Sequence, residues 1–289
     1  MIRLIGAEIF KLRKRTMTTV LLFVLIGILV IIYLLLLAIS KVNLPADLPR
    51  GHQGLQEIKN LLGLPVALPI ALSMLASFGS VLSVILMASA VGNEYNWRTI
   101  RTVLICSESR FKLLIAKLIA VILFVFLGML IGLAVGFIMS LITTAIGGYS
   151  FDFSFFTGSY AWDQFLQFWR TMYSLAPYLL LGFLFAIVGR SAMPGIALGI
   201  GVFFLESIIT AFMTLAGGWI AKVPDYLLIA NARALSTSSS LPQTIGAGFY
   251  GDNAAGAPTL AHAFLTLGIY SVVFLVISFY LFRKRDVTG

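Results

Sequence analysis

The chain has 289 residues, of which 60% are apolar and only 11% charged. Soluble globular proteins are ~45–50% apolar and ~25% charged. This composition therefore excludes a water-soluble enzyme, a disordered regulator and a disulfide scaffold, for which the single cysteine has no partner in any case. In so apolar a chain, a formal net charge of +9 points to basic loops beside anionic lipid and not to nucleic acid.

Residues 1–16 come first in chain order. Ile2, Ile5, Ile9 and Leu12 recur at helical spacing with Phe10 beside them, while Arg3, Lys11, Lys14 and Arg15 fall largely elsewhere. The pattern predicts an amphipathic elbow helix lying on a membrane surface. Six apolar stretches follow, at about 18–40, 64–91, 114–146, 172–188, 192–215 and 261–282. A bilayer core of ~30 Å takes ~20 residues of helix, and none of the stretches has the alternation of a barrel strand. The expected fold is all-α: a polytopic membrane protein with six transmembrane helices in one membrane domain, residues 1–289. The first stretch follows basic residues and ends in Ala38-Ile39-Ser40, as a signal peptide does. A signal core of ~7–15 residues is shorter than this run, which therefore reads as a retained span. The third stretch is too long for one crossing, so part of it is expected to protrude. The fourth contains Pro177, and hydropathy does not fix its start. Between them, residues 147–171 are dense in aromatic side chains and are expected to lie in the membrane interface as a hairpin or amphipathic helix. Residues 217–260, rich in Gly, Pro, Ser and Asn, form the longest connection.

Orientation follows from the Lys and Arg residues. The N-terminus, the loop after the second stretch, the fourth loop and the tail carry 14 of them, against 6 on the other side. Both termini are therefore expected in the cytoplasm.

Catalytic chemistry has no visible residues. The sequence holds no GxxxxGK[ST] phosphate loop, no HExxH, no GxSxG and no carboxylate pair along a span, and its two histidines, His52 and His262, stand on different segments. No cofactor or metal is expected on this chain. His52, His262 and Cys106 read as unremarkable. Glu206 is the one ionisable residue well inside a stretch, which marks a functional hypothesis by default. It is either satisfied by Ser207, Thr210 or a neighbouring helix, or a polar contact in a translocation path. Gly128, Gly132 and Gly136 in the third stretch, and Gly195 and Gly199 in the fifth, are spaced for close helix packing, within the subunit or at a dimer interface. Ser73, Ser77, Ser80 and Ser83 either line a pathway or bond to backbone carbonyls.

The loop at 92–113 is longer than a connector needs. Trp97, Ile100, Val103 and Leu104 make an apolar face with Arg98 and Arg101 beside it, and Ser109 is positioned to cap the next helix. Glu94, Tyr95, Trp97, Thr99, Arg101, Thr102, Ser109, Arg110 and Lys117 resemble the E-x-x-x-x-T-x-R-T…S-R…K signature of the ABC transporter type-2 permease family. The family often has Gly before the Thr, where this chain has Arg98. The resemblance implies a permease subunit of an ATP-driven exporter in a bacterial cytoplasmic membrane. It implies pairing with a second permease, identical or not, and docking on a separate P-loop ATPase that carries ATP and Mg. The loop would then be a coupling helix, with Glu94, Trp97, Arg98, Ile100, Arg101, Leu104 and Arg110 as the residues that meet the ATPase. A secondary transporter, or a membrane scaffold or sensor without transport, is the alternative.

Overall fold

The structure is a computed structural model and describes residues 1–42, 62–97, 110–147, 153–216, 218–236 and 258–284. The described residues contain helices and turns but no strand. Helix α1 (Ile2–Lys14) comes first, with Glu8 and Leu12 buried. Arg15 takes an extended conformation, φ −78° and ψ 124°, and that single residue turns the chain from α1 into α2 (Thr16–Ser40). A 3-10 turn at Leu64–Val66 leads into α3 (Ala67–Asn96). Then come α4 (Arg110–Gly147), α5 (Gly158–Gly189) and α6 (Ala192–Ala216). A second 3-10 turn, Ile220–Tyr226, precedes the short helix α7 (Leu228–Ser236), and α8 (Leu260–Lys284) closes the described chain.

Six of these helices, α2, α3, α4, α5, α6 and α8, are long and apolar enough to cross a membrane. Burial sorts them. In their most apolar stretches 61% of α3 and 67% of α5 is buried, against 11% for α6 and 11% for α8. The bundle is thus built on α3 and α5, which pack along each other and carry α4 and α6 on α3 and α8 on α5. The outer helices turn apolar side chains such as Leu198, Phe204, Ile208, Leu265 and Val272 outward, as lipid contact requires. Leu12 of α1 and Phe282 of α8 share one buried cluster with Val91 and Leu118, so the first helix and the end of the last lie on the same side of the bundle.

The fourth crossing begins earlier than its hydropathy suggests. Helix α5 runs unbroken from Gly158, where the Thr157 hydroxyl accepts the Tyr160 N–H, and has Pro177 in its interior. Residues 158–171 therefore continue the span instead of forming a separate hairpin. Polar residues there, such as Gln167, lower the local hydropathy, yet Gln167 is buried in protein contacts. Phe165, Phe168 and Trp169 stack along the same helix with Phe126 of α4. Between α5 and α6 the chain reverses at Arg190, whose φ of 50° closes α5 in the left-handed conformation.

Close approach explains most of the spaced glycines. A methyl group at Gly132 would meet the Leu75 side chain at 2.5 Å, and one at Gly136 would meet Ala71 at 2.5 Å. Gly195 lies against Ala88 and Ala186, and Gly199 against Val84. These four positions pack helices inside the subunit. Gly128 differs, since nothing lies within 4 Å of a methyl placed there. The tightest place is Gly92, where a methyl would run into the backbone of Ala192 and thus pins the end of α3 to the start of α6. The serines of α3 satisfy themselves: Ser73, Ser77, Ser80 and Ser83 each donate to a backbone carbonyl three or four residues earlier.

Candidate functional site

Three helix segments meet where α1 crosses the end of α3 and the start of α4. Their ionisable residues form one network. In α1, Glu8 and Leu12 lie one turn apart on the face turned into the bundle, and both are buried. Glu94 belongs to the last turn of α3, and Lys117 stands two turns into α4. Lys117 Nζ donates to Glu8 Oε2 at 2.7 Å, to Glu94 Oε1 at 2.8 Å and to the Ala90 carbonyl at 3.4 Å. An ammonium has three donors, so all three are used. Lys11 Nζ donates to Glu8 Oε1 and to Glu94 Oε1, both at 2.7 Å. Two acids and two bases thus share one network.

The set is dry except at one corner. The Glu8, Glu94 and Lys117 side chains are 5%, 3% and 3% exposed, and Lys11 is 33% exposed. Removing charges from water costs several kcal/mol per ion, and only close pairing with filled hydrogen-bond positions offsets that cost. Burial pushes the Glu8 carboxyl up, but Lys117 and Lys11 outweigh it and hold the group below its ordinary value. Burial likewise pushes Lys11 down, and its bonds to Glu8 and Glu94 reverse the sign and raise it. The network is therefore fully ionised at neutral pH at Glu8 and Lys11.

Arg15, between α1 and α2, extends the junction. Its guanidinium reaches the Ser89 and Ala90 carbonyls at 3.4 and 3.3 Å and lies over the Trp97 ring at 5.4 Å. Trp97 itself is 62% exposed, at the point where the described part of α3 ends.

Of the residues expected to meet a partner, Trp97 is exposed on this side, whereas Glu94 faces inward and holds α1 and α4. Arg98, Ile100, Arg101 and Leu104 lie outside the described residues, as do Ser109, Cys106 and His52, and Arg110 is the first residue of α4. Glu94 and Lys117, the first and last residues of the motif seen in the sequence, form an ion pair. Glu8 and Lys11 complete the set, and sequence reading missed both. The available signal was a single acidic residue on the apolar face of a basic helix, four residues before Leu12 and three before Lys11.

A second polar arrangement lies at the opposite end of the bundle. Glu206 of α6 accepts the backbone N–H of Leu228 at 3.3 Å on Oε1 and that of Ile229 at 3.2 Å on Oε2. It caps helix α7, leaving Ser207 to bond the Phe203 carbonyl. At the other end of α7, the Gln167 amide of α5 donates to the Leu235 and Ser236 carbonyls at 3.0 and 2.7 Å. Glu206 stands ten residues before the end of α6, about 15 Å along a helix, so α7 starts well inside the bundle. Irregular backbone at that depth is tolerated only when protein surrounds it, and Leu228, Leu235 and Tyr178 bury this helix against α5, α8 and α3. His262 is part of the assembly: its Nδ1 lies 3.2 Å from Asn231 Oδ1 and its ring packs edge-on against Tyr226.

These features define a multi-pass membrane protein, helical throughout its described residues, with α1 tied by ion pairs to α3 and α4 and a short helix folded back into the bundle. The chain belongs to the family described as "Protein of unknown function (DUF2705)", which matches residues 54–288. It is also 28% identical over 217 residues to "Uncharacterized protein YhcI" of Bacillus subtilis (strain 168), over 72% of this chain and 64% of that protein. The chain thus spans less than two thirds of the length of that relative.

Proposed function

We propose that this chain is the permease subunit of an ATP-driven exporter, working in the cytoplasmic membrane of a bacterium. It pairs with a second permease and docks on separate P-loop ATPase subunits. Both termini face the cytoplasm, and the loop after α3 seats in a cleft of the ATPase. The observation that carries the reading is the buried pair of Lys117 with Glu94. It joins the two ends of the motif that resembles the type-2 permease signature and clamps both helices flanking the loop to α1.

The physical argument concerns force. A docking loop transmits a push only if the helices at its two ends respond together. Glu94 ends α3, Lys117 begins α4, and Glu8 ties both to α1, so displacement of the loop moves three helices as one block. By their spacing in the sequence, Trp97, Ile100 and Leu104 would give the loop an apolar face suited to a protein cleft, and Arg98 and Arg101 would supply charges that set register. On this reading Glu94 is a positioning residue behind the docking surface. The substrate crosses between the two permeases.

Affinity purification of the full chain from its native membranes tests the reading. Recovery of a P-loop ATPase in stoichiometric amount, lost on Trp97→Ala with Arg101→Glu, is the expected result. A chain purified at full yield with no ATPase contradicts it.

A further inference from the structure

A cavity of about 240 Å³ opens between α2, α3 and α4 on the α1 side of the bundle. Its walls are apolar, with Leu22 of α2, Leu82 of α3 and Gly128 of α4 facing it and Leu175 of α5 behind. Arg13 of α1 and Thr18 and Thr19 of α2 stand at its mouth. Along α2 it extends from Thr18 to Leu25, about 10 Å of helix, so it reaches from the level of α1 into one leaflet. Gly128 and Gly79 give it its width, since Gly128 has open space where a side chain would project and Gly79 has only Leu175 in ordinary contact.

Shape and charge together select the occupant. A helix is ~10–12 Å across with its side chains and does not enter a space of this size. An apolar cavity of ~150 Å³ takes up benzene, and this one is larger and partly open. Arg13 is exposed, and among the described residues no carboxylate pairs with it. We propose that this cleft binds one anionic phospholipid of the surrounding bilayer, with an acyl chain against Leu22, Leu82 and Gly128 and its phosphate on Arg13. The lipid wedges between α2 and the rest of the bundle and holds α1 at the membrane surface. The site requires only that the helices span a bilayer, so it stands apart from the transport reading.

The test is native mass spectrometry of the detergent-purified full chain incubated with equal amounts of phosphatidylglycerol and phosphatidylcholine. Wild type is expected to retain one phospholipid and to favour phosphatidylglycerol about fivefold, the preference that one basic residue confers near a charged headgroup. Gly128→Leu fills the cleft and lowers retention of either lipid at least tenfold. Arg13→Gln keeps a lipid but brings the preference to parity. Gly201→Leu, at another open glycine far from the cleft, behaves as wild type, and circular dichroism shows that each variant remains helical. Equal retention by Gly128→Leu and wild type overturns the proposal, as does a wild type that retains no lipid. A dimer that holds no lipid and is broken by Gly128→Leu overturns it in favour of a second copy.

Discussion

Lys117 and Glu94 lie 2.8 Å apart between α4 and α3, each 3% exposed, and neither is satisfied by the other alone. Lys117 also holds Glu8, and Glu94 also holds Lys11. This sharing determines how substitutions behave. Lys117→Met leaves Glu8 and Glu94 facing each other and sharing Lys11. Breaking a buried pair in this way costs about 3–5 kcal/mol. An isolated pair is restored by exchanging its charges, but here Glu94→Lys combined with Lys117→Glu sets like charges against Lys11 and Glu8. The double variant is expected to be no more stable than Lys117→Met, as read by thermal unfolding in detergent.

Stability should fall at both ends of the pH scale. Glu8 titrates below its ordinary 4.5 in the folded chain, so its contribution is complete above pH 4.5 and is lost as pH falls through the lower folded value. Lys11 titrates above its ordinary 10.5, so its contribution is complete below pH 10.5 and is lost as pH rises through the higher folded value. The contribution of Glu8 and Lys11 is therefore constant across neutral pH, with an acid limb from Glu8 below about 4.5. Glu8→Gln lowers the plateau and shrinks that limb, which a melting series from pH 3 to 8 checks.

Helix α7 is held at both ends by side chains from spanning helices. Glu206→Ala removes the acceptor for Leu228 and Ile229, and loss of a helix cap costs about 1 kcal/mol. Gln167→Ala frees the Leu235 and Ser236 carbonyls. Both variants should speed amide hydrogen exchange in residues 228–236 by about five- to tenfold. Exchange in the middle of α3 stays unchanged. Uniform acceleration through the bundle would show that Glu206 supports more than α7.

The glycines separate by what surrounds them. Gly92→Ala drives a methyl into the Ala192 backbone, which has no rotamer to yield, and overpacking of this kind costs about 1–3 kcal/mol. Gly128→Ala meets nothing and gains about 0.5–1 kcal/mol of helix propensity. Melting temperatures should move in opposite directions.

Hydropathy made the six spans legible, because ~20 apolar residues in a row have few other uses. It placed the start of α5 too late, since Gln167 reads as interface when its amide bonds to α7. Glu206 stood out as an intramembrane carboxylate, but its partners are 22 and 23 residues away and are backbone groups, which no side-chain pattern reveals. The same holds for Glu8, whose partner Lys117 is 109 residues distant. Spacing of 3 or 4 did identify the packing glycines. It could not separate Gly128 from Gly132, because the difference lies in what stands opposite: Leu75 of α3 at Gly132 and an open cavity at Gly128.

The proposed function requires coupling between this chain and an ATPase. The most direct measurement is ATP hydrolysis by the co-purified ATPase, reconstituted in lipid with wild-type chain, with Arg101→Glu and with Lys117→Met. The account predicts hydrolysis stimulated by wild type, abolished by Arg101→Glu with the bundle intact, and uncoupled from loop binding by Lys117→Met. Hydrolysis at the same rate with and without the chain, or with all three forms of it, contradicts the account.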